Sequence, residues 1–153
     1  MKVAAPRNVE RLGNLGGKRV GIVSARFYEE LADQLEDGAA RALTACGIPL
    51  ESRRIVHVPG CFELPLACRK LADAGMDAIV ALGVVVRGDT PHFDFVAGEC
   101  ARGLMDVQLT TRVPIGFGVL TTNTLAQAQE RADPARGDKG FEAAVAALSL
   151  INI

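Results

Sequence analysis

The chain has 153 residues, enough for one domain with a substantial core, and a formal net charge of −1, which excludes the basic footprint of a nucleic-acid or acidic-membrane binder. Its composition, 49% hydrophobic and 23% charged, is ordinary for a globular protein. No apolar run reaches the ~18 residues of a membrane span, and the first residues lack the apolar core of a secretory signal, so a cytoplasmic protein is expected.

Residues 1–17 are polar and carry Gly13, Gly16 and Gly17, which reads as an arm, flexible or docked on a neighbouring subunit. The folded domain is expected over residues 18–153. Residues 18–25 read as a buried strand. Residues 28–46 read as a helix with Leu31, Leu35, Ala39, Ala42 and Leu43 on one face and Gly47 as its stop. Residues 54–58 form a second strand, and residues 62–74 a helix with Leu64, Leu66, Ala67, Leu71 and Ala72 apolar, ended by Gly75. Residues 77–86 are almost wholly apolar, as in a strand buried on both faces. Helix 91–110, strand 113–121 and helices 125–132 and 139–150 complete the chain. Alternating strands and helices imply an α/β domain: a parallel sheet covered by helices on both faces. No internal repeat or linker divides it.

Ligands of such sheets bind beyond the carboxyl ends of the strands. Three segments follow there in turn: Arg26-Phe27-Tyr28, Pro59-Gly60-Cys61-Phe62-Glu63, and Val84 to His92. In the last, Thr90 can cap a helix that Pro91 opens, and amides at a helix start attract anions such as phosphate. His92 follows in the first turn, next to that anion site.

Each residue also has a plainer reading. Phe27 stacks on a flat ring or closes the core rim. Glu63 supports the helix dipole or accepts from substrate hydroxyls. Cys61 packs rather than attacks, because no base lies near it in sequence. His57 is structural. Arg87 binds an anion or ends a strand in solvent. Arg131 closes a helix that runs back from the carboxyl edge, so it either favours the helix end or reaches a neighbouring chain's pocket. Lys139, after the candidate cap Asp138, poses the same choice. Four cysteines without C-x-x-C spacing and two histidines predict no metal site and reduced, buried thiols. The G-x-G-x-x-G and Walker patterns are absent, so dinucleotide and nucleoside triphosphate sites lack support.

Taken together, the segments resemble the 6,7-dimethyl-8-ribityllumazine synthases. The resemblance rests on Gly-Ile-Val-Ser-Ala-Arg-Phe at 21–27, Val-Pro-Gly-Cys-Phe-Glu-Leu-Pro at 58–65, and Ala-Leu-Gly-Val-Val-Val-Arg-Gly-Asp-Thr-Pro-His-Phe-Asp-Phe-Val at 81–96. It continues through Gly-Phe-Gly-Val-Leu-Thr-Thr at 116–122, Gln-Ala-Gln-Glu-Arg-Ala at 127–132 and Gly-Asp-Lys-Gly at 137–140. It implies a single-domain, three-layer α/β/α fold on a four-stranded parallel flavodoxin-like sheet. The implied reaction joins 5-amino-6-(D-ribitylamino)uracil and 3,4-dihydroxy-2-butanone 4-phosphate, without metal or organic cofactor.

The resemblance also implies roles. Phe27 stacks on the pyrimidine; Cys61, Phe62 and Glu63 hold the ribityl chain. Backbone groups of Val84, Val85 and Val86 read the pyrimidine edge. Asp89 and Thr90 bind phosphate, and His92 moves protons. Phe117, Arg131 and Lys139 come from the adjacent subunit, with Arg131 on the phosphate. The implied assembly is a homo-oligomer: a pentamer, paired pentamers or a sixty-subunit shell. The short stretch from Arg131 to Lys139 allows a shell. Tyr28, Cys61 and Asp138 depart from the family's common Asn, Ala and Asn.

Overall fold

The computed structural model describes residues 9–153. Four strands, β1 (Val20–Ala25), β2 (Arg53–Val58), β3 (Ala78–Val86) and β4 (Ile115–Thr122), alternate with α1 (Glu29–Ala45), α2 (Leu64–Asp73) and α3 (His92–Thr111). Helices α4 (Leu125–Ala132) and α5 (Lys139–Ser149) follow. All strand pairs are parallel, in the order β2-β1-β3-β4. This is the flavodoxin-like order, with the switch point between β1 and β3.

Strand alternation divides the core in two. Val20, Ile22, Val80, Leu82 and Leu120 face α1, α4 and α5; Val23, Ala25, Ile79, Ala81 and Val119 face α2 and α3. The expected face of α1 is buried in full. On α2, Leu64 and Leu71 are buried, but Leu66 points outward and is 63% exposed. That helix also starts later than expected: Cys61–Glu63 form a 3-10 turn, and Pro65 sits in the first turn of α2, where a missing N–H costs nothing. Gly47 and Gly75 do end their helices, at φ 78° and 93°, a region that L side chains rarely adopt.

Residues 1–8 of the proposed arm lie outside the described residues. In the remainder, Leu15 is buried and its amide donates to Cys46 O at 2.8 Å, while Val9 and Leu12 pack on the same core. Edge strand β2 is tied to α1 by His57, whose Nε2 lies 2.8 Å from Glu36 Oε1. This agrees with a structural His57.

Asp138 precedes α5 with φ 50°, a conformation that Asp tolerates better than most residues. Its carboxylate does not cap the helix, contrary to the expectation. It accepts instead from Arg41 Nη2 at 2.6 Å and Nη1 at 3.2 Å, because Arg41 approaches from α1 and also covers the Phe141 ring. The connection from α4 to α5 is stitched to itself. Asp133 accepts from the Ala135 amide and from Arg136 Nε, which together hold its carboxyl below the ordinary range. Asp138 N–H donates back to Asp133 O at 3.0 Å. No described helix is long and apolar enough to cross a membrane.

Candidate active site

The carboxyl ends of β1 and β3 make the site. β1 pairs with β3 only as far as Ser24 opposite Leu82, whereas β3 continues along β4 to Val86. Past Leu82, therefore, β3 keeps one paired side and turns the other toward the loop that follows β1. Phe27 stands in that loop, 74% exposed, with Tyr28 edge-on at 5.0 Å between ring centroids. An aromatic ring so exposed is not closing the core rim. Arg26, just before it, is anchored to Asp33 at 2.7 Å and to Glu36 at 3.3 Å.

From β2, the 3-10 turn brings up Cys61, Phe62 and Glu63. Phe62 is 61% exposed. Glu63 Oε1 accepts from the Gly60 amide at 3.1 Å, so part of this carboxylate closes the turn that precedes α2. Cys61 is buried, and Gly83 opposite makes room for it: a Cβ there would stand 2.5 Å from the sulfur. Burial pushes the Cys61 thiol up to about 12, with Cys100 adding to the effect and the Val84 amide opposing it. Burial likewise raises Cys68 to about 12 and Cys100 to about 11. None of these is a thiolate nucleophile at neutral pH. A disulfide-exchange reagent at pH 8 is therefore expected to leave all four buried thiols of the native protein unreacted and to titrate them only after denaturation. Rapid reaction of even one thiol would contradict this.

Residues 87–91 connect β3 to α3. The helix begins one residue later than the sequence suggests: Pro91 is the cap position, and its carbonyl accepts from the Asp94 and Phe95 amides. Thr90 Oγ1 meets only the His92 amide, at 3.5 Å, a weak contact. The proline ring takes the position next to the helix and displaces the hydroxyl outward by one residue. Among the described residues, no hydrogen bond is donated by the amides of Gly88, Asp89 and Thr90. Asp89, Thr90 and His92 are all exposed.

The remaining candidates gather elsewhere. Phe117, Arg131 and Lys139 line one surface cavity of about 450 Å³ along edge strand β4, with Glu142 and Ala143. Lys139 Nζ lies 2.7 Å from Glu142 Oε2, and Arg131 Nη1 donates to Gln127 O at 3.1 Å. Helix α4 runs back from the edge that holds His92 and places Arg131 at its seventh residue, ~9 Å along the helix from Leu125. No group of three or more His, Cys, Asp or Glu is arranged to hold a metal ion among the described residues.

Residues 17–153 match the sequence model of 6,7-dimethyl-8-ribityllumazine synthase. The chain belongs to the 6,7-dimethyl-8-ribityllumazine synthase family. Relatives of that name include one from Desulfatibacillum aliphaticivorans, 43% identical over 149 residues, 97% of this chain and 96% of that protein. Another, from Halorhodospira halophila, is 46% identical over 136 residues, covering 88% and 87%. A third, from Edwardsiella ictaluri, is 52% identical over 137 residues, covering 88% of each.

The three departures from the lumazine synthase pattern have local explanations. Tyr28 supports the Phe27 ring edge-on, the Cys61 sulfur fills the space that Gly83 leaves, and Asp138 holds Arg41. Two contacts of Arg87 are not foreseen from the sequence: Asp94, within the 81–96 segment but readable there only as no partner of His92, and Asn123, just past β4. Nothing in their spacing points to that arginine, because the three meet only where β3 and β4 end beside the start of α3.

Proposed function

We propose that this chain condenses 5-amino-6-(D-ribitylamino)uracil with 3,4-dihydroxy-2-butanone 4-phosphate to 6,7-dimethyl-8-ribityllumazine, releasing phosphate and water, the penultimate step of riboflavin biosynthesis. The observation that carries this reading is the family match over residues 17–153, nearly the whole chain.

In this reading the pyrimidine lies on Phe27, with its edge against the unpaired side of β3 at Val84, Val85 and Val86. The ribityl chain runs over Cys61 and Phe62 toward Glu63. The amine attacks the ketone to give an imine; phosphate leaves; the ring closes. The amides of the turn at Asp89 and Thr90 take the phosphate, supported by the α3 dipole. His92, at the first position of α3, moves protons between the amine and the leaving phosphate. The protein supplies mainly orientation and charge neutralisation.

Phe117, Arg131 and Lys139 complete the site of an adjacent copy, with Arg131 on the phosphate. Their gathering in a cavity away from the switch point supports this division of labour. The assembly is then a homo-oligomer, a pentamer or a multiple of pentamers. The short, internally bonded turn from Asp133 to Asp138 is compatible with shell closure. A cytoplasmic location agrees with four free cysteines.

The test is an assay of purified protein with both substrates, following lumazine absorbance and phosphate release. Enzyme-dependent formation of both is expected. Tight lumazine binding without turnover would instead mark a carrier. His92→Ala is expected to slow the single-turnover rate by about 100-fold, the lower range for a general acid or base, without abolishing it. An unchanged single-turnover rate would remove His92 from the chemistry.

A further inference from the structure

Arg87 follows the last residue of β3, and its half-exposed side chain folds back onto the protein itself. Its amide donates to Thr122 O at 2.8 Å, extending the pairing of β3 with β4 by one residue. Its Nε donates to Asn123 Oδ1 at 3.0 Å. Its Nη1 stands 3.5 Å from Asp94 Oδ1, and the guanidinium carbon lies 4.4 Å from the centre of the Phe93 ring. The three side-chain partners come from two places: Asn123, directly after β4, and Phe93 and Asp94 in the first turn of α3, directly after His92. Between them runs the turn 88–91, whose first three amides donate no hydrogen bond among the described residues. That turn has no ladder of its own to set its shape.

We propose that Arg87 is the positioning residue of the phosphate turn, a planar clamp that fixes the start of α3, and so His92 and the free amides, against the end of β4. The proposal rests on the functional reading above. A guanidinium suits the task because it offers a flat face to Phe93, a hydrogen bond to Asn123 and a second, weaker contact to Asp94 at once. An ammonium cannot do all three. Asn123 adds a second anchor, since its own amide donates to Gln127 Oε1 at 2.9 Å, within the capping box that starts α4.

The clamp is tested with Arg87→Met, Arg87→Lys and Asn123→Ala, each compared with wild type for steady-state kinetics, inorganic phosphate binding and thermal melting. Arg87→Met is expected to raise KM for the phosphorylated substrate and the dissociation constant of inorganic phosphate by about tenfold, and to lower kcat by a similar factor, as a displaced site does. KM for the pyrimidine and the melting temperature change little. Lys does not rescue. The effects of Arg87→Met and Asn123→Ala are less than additive, as for two ends of one contact. Wild-type phosphate binding and KM in Arg87→Met overturn the clamp, and so does an equal rise of both KM values with a lower melting temperature. Wild-type protein that makes no lumazine overturns the functional reading, in which case the phosphate comparison still decides the clamp. Wild-type protein that neither makes lumazine nor binds phosphate overturns both.

Discussion

Replacing Arg131 with Ala is expected to raise KM for the phosphorylated substrate by about 10- to 100-fold, the cost of one or two charge-assisted hydrogen bonds. KM for the pyrimidine should move little, because Arg131 lines the β4 cavity with Phe117 and Lys139 and no pyrimidine contact is assigned to it. Arg131→Lys should fall between, since an ammonium keeps the charge but loses the paired donors. Equal losses for both substrates would remove the phosphate assignment. The same variant also tests the shared site. If His92 and Arg131 of one site come from different copies, mixing His92→Ala with Arg131→Ala subunits makes some sites that hold both wild-type residues. With random one-to-one exchange, about a quarter of the sites recover, by the symmetry of a ring. If both residues came from one copy, no mixture would recover activity beyond the sum of its parts.

Gly140→Ala is expected to be among the most damaging single methyl additions to the fold. Gly140 opens α5 where it crosses α1, and an added Cβ would run into the backbone of Leu35, with its Cα and carbonyl carbon both 2.8 Å away. Gly38 faces it, where a Cβ would stand 2.6 Å from the Phe141 amide. Two helix backbones cannot give way as a flexible side chain does. The helices must separate, at a cost of about 3 kcal/mol or more. For a domain of this size that lowers the melting temperature by about 6–12 °C. The displacement also moves Lys139, the adjacent residue, out of the β4 cavity. Gly98→Ala is the control: on α3 its Cβ meets nothing within 4 Å, and better helix propensity should stabilise by up to about 1 kcal/mol. A Gly140→Ala protein as stable as wild type would mean that α1 and α5 do not cross so closely.

The sequence exposes the architecture because each local signal stands alone. Leu31, Leu35, Ala39, Ala42 and Leu43 mark one face of α1 without help from elsewhere, and all are buried. The apolar run from Ala78 to Leu82 has the composition of a central strand and is one. The three segments past β1, β2 and β3 reach one edge because parallel strands all end there. Boundaries set by competing chemistry are less legible. The Thr90-Pro91 pair suggests a hydroxyl cap, but the proline takes the cap position itself. Asp138 looks like a cap until Arg41, 97 residues earlier, claims its carboxylate. Arg87 reads in the sequence as an anion ligand or, more readily, a solvated charge, since its partners arrive from α3 and from the residue after β4. Contacts between residues far apart in the chain leave no periodic trace.

The edge-on contact between Phe27 and Tyr28 turns the protein into its own indicator. The chain has no tryptophan and a single tyrosine, so ultraviolet emission from the native protein originates at one phenol ring, 5.0 Å from the aromatic surface on which the substrate ring is proposed to lie. A conjugated heterocycle seated there absorbs at longer wavelength and is expected to quench that phenol by energy transfer. Occupancy of the pyrimidine site is then readable by titration, without a label and without turnover.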